Sequence, residues 1–197
     1  MVSINNNHQF YSYQFLHDCL ENEVYIYARE DENPLKRMVM RMMLRFIRPN
    51  TRIVYLMRKM QYNYHSNNII RRLYAIYLHH KIWEECSCYI SPQAIIGKGI
   101  KMPHPVGIVI GGASKIGANV SIYQNVTIGS RRKGDFEKGI QPQIEEGVTC
   151  FSGCQIIGDV TIGKNSVIGA GSVVISSVPP NTVSAGVPSK ILHSVKN

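Results

Sequence analysis

The chain has 197 residues, with 22 Lys and Arg against 13 Asp and Glu, so its net charge is +9. That length fits one long domain, or a repeat domain with an attached subdomain, and an apolar fraction of 44% is enough for a sizeable core. The composition speaks against a disulfide-built secreted scaffold, because the five cysteines show no CxxC spacing and no secretory signal precedes them, and against a membrane-spanning helix, because no run of 18 apolar residues occurs.

The positive balance asks for an anionic partner, such as a phosphorylated cofactor, an acidic or lipid-linked glycan, or an anionic membrane surface. Nucleic acid is disfavoured, since basic and aromatic residues do not alternate on a recognisable binding motif. The expected location is the cytoplasm, with peripheral contact at the inner face of the membrane as an alternative.

In chain order, residues 1–8 are polar and Asn-rich and read as a frayed start, and Phe10 to Glu30 reads as an aromatic-rich helical segment. Asn33-Pro34 is a helix entry, because proline fits a first turn. Residues 35–48 follow as a basic, Met-rich helix that ends at Pro49. Its Met38, Met42, Phe46 and Ile47 would lie on an anionic membrane or, the favoured expectation, pack on neighbouring helices or across a subunit interface. Arg52 to Tyr64 and Asn68 to Trp83 are two more helices, and in the second Ile69, Leu73, Ile76, Tyr77 and Trp83 share a face.

From Ile90 to Val178 the pattern changes to a repeat of six. Aliphatic or sulfur-bearing residues fall at Ile90, Ile96, Met102 and Ile108, resume after a two-residue slip at Ile116, Ile122 and Ile128, and resume again from Ile144 through Cys150, Ile156, Ile162 and Ile168 to Val174. A period of six fits neither a helix nor a lone strand. It suits short strands that turn a corner every sixth residue and stack on one another, with Gly117-Ala118-Asn119 and Gly163-Lys164-Asn165 supplying residues that accept positive φ. No single repeat can bury its own inward face, so the array must be cooperative. Cys150 and Cys154 occupy inward positions and read as small buried hydrophobes. One polar stretch, 130–143, leaves the repeat and rejoins it, and a long loop inside a tight repeat is usually functional.

Ile96-Gly97-Lys98-Gly99-Ile100, Ile162-Gly163-Lys164-Asn165, Ile168-Gly169-Ala170-Gly171-Ser172-Val173-Val174 and Ala185-Gly186-Val187-Pro188-Ser189-Lys190-Ile191 together carry a family resemblance. On these motifs the segment Ile90–Leu192 resembles the hexapeptide-repeat acyltransferases, in the branch that contains serine O-acetyltransferase. The resemblance implies an α+β fold in which a left-handed parallel β-helix follows a small helical N-terminal subdomain. The expected division is 1–88 for the helical subdomain, 89–192 for the β-helix with its active-site loop at 130–143, and 193–197 for a short tail. It further implies a homotrimer that holds acetyl-coenzyme A in a groove between two subunits. The hand of the helix comes from the resemblance, not from the period.

His104, in Lys101-Met102-Pro103-His104-Pro105-Val106, matches the catalytic histidine of that branch. The chemistry supports it independently. A thioester is already activated, an alcohol is a poor nucleophile at neutral pH, and an imidazole that titrates at about 6.5 can take the proton as attack occurs. The remaining histidines (His8, His17, His65, His79, His80 and His193) lie outside the repeats, so no metal is expected. Backbone N–H groups near Ile128-Gly129-Ser130 are candidates for the oxyanion. The resemblance places Gly129, Ser130, Ser152, Gly153, Ala170 and Gly171 along the pantetheine arm and Lys190 at a phosphate.

The departures concern the acceptor. Tyr89 and Pro103 stand where the family has aspartates, Gly112 where it has a glutamate, and Ile140-Gln141 where it has an Arg-His pair that meets a carboxylate. These losses argue for a sugar acceptor, in a surface polysaccharide such as capsule or lipopolysaccharide or in its lipid-linked precursor, with Arg131, Arg132, Lys133 and Gln141 as substrate contacts. Two other readings stay open: a serine O-acetyltransferase with a rebuilt pocket, and a trimeric scaffold without catalysis.

Overall fold

The computed structural model describes residues 11–25, 33–46 and 48–195. The polar start at 1–8 and part of the Phe10–Glu30 segment lie outside them. α1 (Tyr13–Cys19) begins where the Ser12 hydroxyl accepts the Phe15 N–H at 3.0 Å, satisfying one of the donors a helix start leaves open, and runs into a π-helical turn at Leu20–Val24. α2 (Pro34–Phe46), α3 (Pro49–Tyr64) and α4 (Ile69–Cys86) follow. Pro49 closes the gap after α2 and also opens α3 in its first turn, where its missing N–H costs nothing. Asn68 caps α4 by accepting the Ile70 N–H at 2.8 Å.

α3 is central to the helical part, with Ile53, Met57 and Met60 fully buried. α4 corrects an expectation. Its Ile69, Leu73, Ile76, Tyr77 and Trp83 are each more than half exposed, and it packs through Ala75, Leu78 and Ile82 instead. The helix is apolar on almost every side, so periodicity has no single stripe to select. α2 likewise buries Leu44 and leaves Met38 and Met42 exposed, so the expected packing of its methionine side is not made among the described residues, while Ile47 and the Phe46 side chain lie outside them. No helix among the described residues is long and apolar enough to cross a membrane.

From Tyr89 the chain winds as a left-handed coil of three parallel sheets. The first stacks β1 (Tyr89–Ile90), β3 (Val109–Ile110), β6 (Thr127–Gly129), β9 (Gln155–Ile157) and β12 (Val173–Val174). The second stacks β2 (Ile95–Ile96), β4 (Lys115–Ile116), β7 (Gln143–Ile144) and β10 (Thr161–Ile162). The third stacks β5 (Ser121–Ile122), β8 (Thr149–Cys150), β11 (Val167–Ile168) and β13 (Thr182–Gly186), and β14 (Ser189–Ser194) closes it antiparallel to β13. β14 runs past 192, so His193 and Ser194 belong to the final rung and not to a free tail.

Ile90, Ile110, Ile128, Ile156 and Val174 stack in the first sheet with no exposed surface, each burial worth about 1.5–3 kcal/mol. The register moves the predicted slip. Lys101 pairs with Ser121, twenty residues on, whereas Val109 pairs with Thr127, eighteen on. The two extra residues therefore sit in the bulge Pro103-His104-Pro105, ahead of Ile108 instead of behind it. Ile108 and Ile110 are both fully buried, so spacing alone could not say which of them kept the frame.

A buried ion pair joins the helical part to the coil. From α3, Arg58 Nη2 reaches Glu23 Oε1 at 2.7 Å, with both side chains almost fully buried. The same guanidinium donates to the carbonyls of Ile96 at 2.7 Å and Gly97 at 2.6 Å, while Glu23 accepts the Gly99 N–H at 2.7 Å. Gln61 adds a hydrogen bond to the Ala94 carbonyl at 2.8 Å.

Candidate functional site

The candidate residues fall on two edges of the coil, at opposite ends of the strands of the first sheet. The first edge is the corner that leads from the third sheet into the first. Here the Asn125 N–H donates to the Val106 carbonyl at 2.8 Å, Gly153 to Gln124 at 2.9 Å and Gly171 to Ser152 at 2.9 Å, which stacks Val106, Gln124, Ser152 and Ala170 from coil to coil. Gly153 and Gly171 turn this corner at φ of 69° and 65°, a conformation costly for a residue with a Cβ. A Cβ on Gly171 would have no neighbour within 4 Å, and one on Gly153 would meet only the Gly171 backbone at 3.9 Å, so the two glycines leave an open shelf.

The bulge carrying His104 stands above this shelf. The His104 side chain is exposed. Its carbonyl accepts the Val106 N–H at 2.9 Å, and proline on both sides stiffens the backbone. Its ring centroid lies 6.2 Å from that of Tyr123, whose ring packs in turn on Phe151 at 5.1 Å. Lys190 pairs with Ala185 on the last rung and is exposed. From the His104 coil to that rung there are four coil spacings, about 19 Å at roughly 4.8 Å each.

The second edge lies where the first sheet ends, about 13 Å of extended chain beyond Asn125. Gly129 is open there too, with nothing within 4 Å of an added Cβ. The 130–143 loop is a folded cover and not a free excursion. Asp135, buried, accepts the backbone N–H groups of Arg131 at 3.1 Å and Arg132 at 2.7 Å. The Phe136 ring lies against Gly112, where a Cβ would meet it at 2.7 Å. Gln141 donates to the Ser130 hydroxyl at 2.7 Å and accepts from the Ala113 N–H at 2.9 Å and the Ser114 hydroxyl at 3.1 Å. Buried at 5% exposure, it braces the loop onto the coil and is not turned outward as an acceptor contact would be. Arg131, Arg132 and Lys133 are exposed, with the Arg131 side chain lying beside Gly158 of the coil.

The structure thus brings His104, Ser152, Gly153, Ala170, Gly171 and Lys190 to one edge and Gly129, Ser130, Arg131, Arg132, Lys133 and Gln141 to the other. Sequence reasoning missed Tyr123 and Phe151, whose outward positions give them the look of ordinary surface aromatics. It also missed the buried Asp135 that shapes the loop. Two buried thiols are held in the protonated form: Cys150 is pushed well above the usual thiol range by its hydrogen bond with Cys154 and by burial, and burial raises Cys19 to about 12. No group of three or more metal-ligating side chains occurs among the described residues.

Residues 141–176 match the family model described as bacterial transferase hexapeptide (six repeats). The chain is 42% identical over 122 residues to the serine acetyltransferase of Escherichia coli strain K12, a match that takes in 62% of this chain and 44% of that protein. The chain spans about half the length of the curated relatives it matches. Among solved structures, it is similar to a Neisseria gonorrhoeae serine acetyltransferase in complex with serine, at a TM-score of 0.75 and 29% identity over 94% of this chain and 72% of that one. A serine acetyltransferase in complex with CoA gives a TM-score of 0.69 at 31% identity, over 94% of this chain and 73% of that one.

These likenesses overturn the expected sugar acceptor, because the relatives are named for serine. Lost charges do not by themselves mean a changed acceptor. Two of those positions serve the loop instead, since Gly112 makes room for Phe136 and Gln141 braces the segment onto the coil. Uncharged residues there record a rebuilt surface without naming what it binds.

Proposed function

We propose, for a chain that belongs to the hexapeptide-repeat transferase family, that it moves an acetyl group from acetyl-coenzyme A to the hydroxyl of serine, with His104 as general base. The observation that carries the reading is the stacking at the first edge. His104 stands over Ser152-Gly153 and Ala170-Gly171, on the shelf that the two glycines keep free of side chains.

A shelf of this kind fits an extended ligand lying against the wall of the coil. The pantetheine arm would run down it from His104, and Lys190 on the last rung would meet a phosphate as a point charge. When bound, the thioester supplies an activated acyl group. His104 takes the proton from the serine hydroxyl as that oxygen attacks, a contribution of about 10²–10⁴ in rate.

The second edge has a place in the same reading through another subunit. Gly129, Ser130 and the loop lie across the first sheet from His104, too far to line one groove within a single chain. In a homotrimer the loop edge of one copy faces the shelf of the next. Arg131, Arg132 and Lys133 then supply positive charge for the serine carboxylate or for the cofactor phosphates.

The test is product identification. Purified protein with acetyl-coenzyme A and L-serine should release free thiol in a serine-dependent way, and mass spectrometry should find O-acetylserine. Thiol release that does not respond to serine would reject the acceptor. A chain without transfer to any hydroxyl would be the scaffold.

A further inference from the structure

A general base works only if its nitrogen is held where the substrate proton will be. The backbone of His104 is fixed by Pro103, by Pro105 and by the Val106 N–H on its own carbonyl. The ring is another matter. Neither ring nitrogen has a hydrogen-bond partner among the described residues, and Tyr89 and Pro103 supply no carboxylate. The side chain is exposed, so burial does not hold it either.

The ring does have an aromatic neighbour. Its centroid is 6.2 Å from that of Tyr123, with the planes 51° apart, inside the range in which aromatic rings attract each other. Tyr123 is itself well anchored. Its backbone N–H donates to the Cys150 carbonyl at 3.0 Å, and its ring lies on Phe151 at 5.1 Å with the planes 31° apart. The bulge explains the contact: the two extra residues push His104 out of the ladder and over the coil below, at the level where Tyr123 points outward. A tyrosine there has few rotamers and a large rigid face, so it restricts the imidazole at little entropic cost.

We propose that Tyr123, backed by Phe151, is the positioning residue of His104, fixing the imidazole by ring packing. The inference rests on the reading of His104 as the base. The phenolic hydroxyl is not needed for it; the ring is.

The test uses Tyr123→Leu and Tyr123→Phe in the full chain, with two readouts. In the transfer assay, Tyr123→Leu should lower kcat about tenfold or more, because a misplaced base loses rate without losing binding. KM for both substrates should stay within about twofold, and Tyr123→Phe should restore kcat. An unchanged kcat in Tyr123→Leu overturns the proposal, and an equal loss in Tyr123→Phe assigns the effect to the hydroxyl and overturns it as well.

The second readout is independent of activity. The imidazole Cε1–H resonance of His104, identified by its disappearance in His104→Ala, should be displaced by the Tyr123 ring current. It should move in Tyr123→Leu and stay in place in Tyr123→Phe. A resonance that ignores Tyr123→Leu rejects the packing contact. If wild-type protein releases no thiol with serine, the acceptor reading fails and the resonance still decides the role of Tyr123.

Discussion

The coil and the helical part before it are stabilised on different plans. In the coil every turn adds much the same increment: one inward apolar residue per face, parallel ladders to the coil below, and two corners at positive φ. In the helical part the packing is irregular, and its attachment to the coil concentrates polar contacts on Arg58, Glu23 and Gln61. A distributed structure tolerates damage at one rung, whereas a concentrated one fails at one residue. The difference also places function. The repeated corner offers a long uniform shelf, and the chemistry sits at the one bulge where the repeat is broken.

The largest effect should come from the concentrated side. Arg58→Ala leaves the Glu23 carboxylate buried without its partner and should cost about 3–5 kcal/mol, measured by denaturant unfolding. Arg58→Met, with matching loss of charge at Glu23→Gln, should recover part of that. An Arg58→Ala protein of unchanged stability would mean that the helical part is held by its apolar contacts alone.

On the distributed side, Ile156→Ala at a fully buried rung should cost about 2–5 kcal/mol. Gly117→Ala probes the corner: its Cβ would meet the Glu146 backbone nitrogen at 2.7 Å. Strain of that kind costs about 1–3 kcal/mol and should appear as a lower unfolding midpoint with an unchanged slope. Smallest of all is the exposed pair of Lys164 and Glu146, 3.0 Å apart. The hydrogen bond and charge of Lys164 hold the Glu146 carboxyl below the usual carboxylate range. A depressed carboxylate stabilises above its unfolded value and loses that contribution as pH falls through its folded value. Lys164→Gln should therefore lower the midpoint slightly near neutral pH, not at all once the carboxylate is protonated, and not in molar salt.

Much of the coil is legible in the sequence because its rule is local. Each inward position is buried whatever the rest of the chain does, so Ile128, Ile156 and Ile168 announce themselves by spacing. Ile108 and Ile110 are ambiguous because both are buried, and that ambiguity hides the true place of the slip that carries His104 outward. α4 misleads for a related reason: with apolar residues nearly all round, only tertiary contact decides that Ala75, Leu78 and Ile82 face inward. At the site, His104 and the shelf glycines can be found from motif and corner chemistry. Gln141 cannot be assigned that way, because whether an amide braces a loop or meets a ligand depends on Ser130 and Ser114, which are distant in sequence. Tyr123 leaves one trace, an aromatic on the coil below a bulged histidine, readable only once the register is known.

The reading of the first edge as a catalytic one stands on a single imidazole. The direct measurement is the rate of serine acetylation by His104→Asn beside wild type, both substrates saturating and both proteins shown to unfold at the same midpoint. The predicted result is a loss of about 10²–10⁴ in kcat. A rate equal to wild type would contradict it and remove His104 from the chemistry.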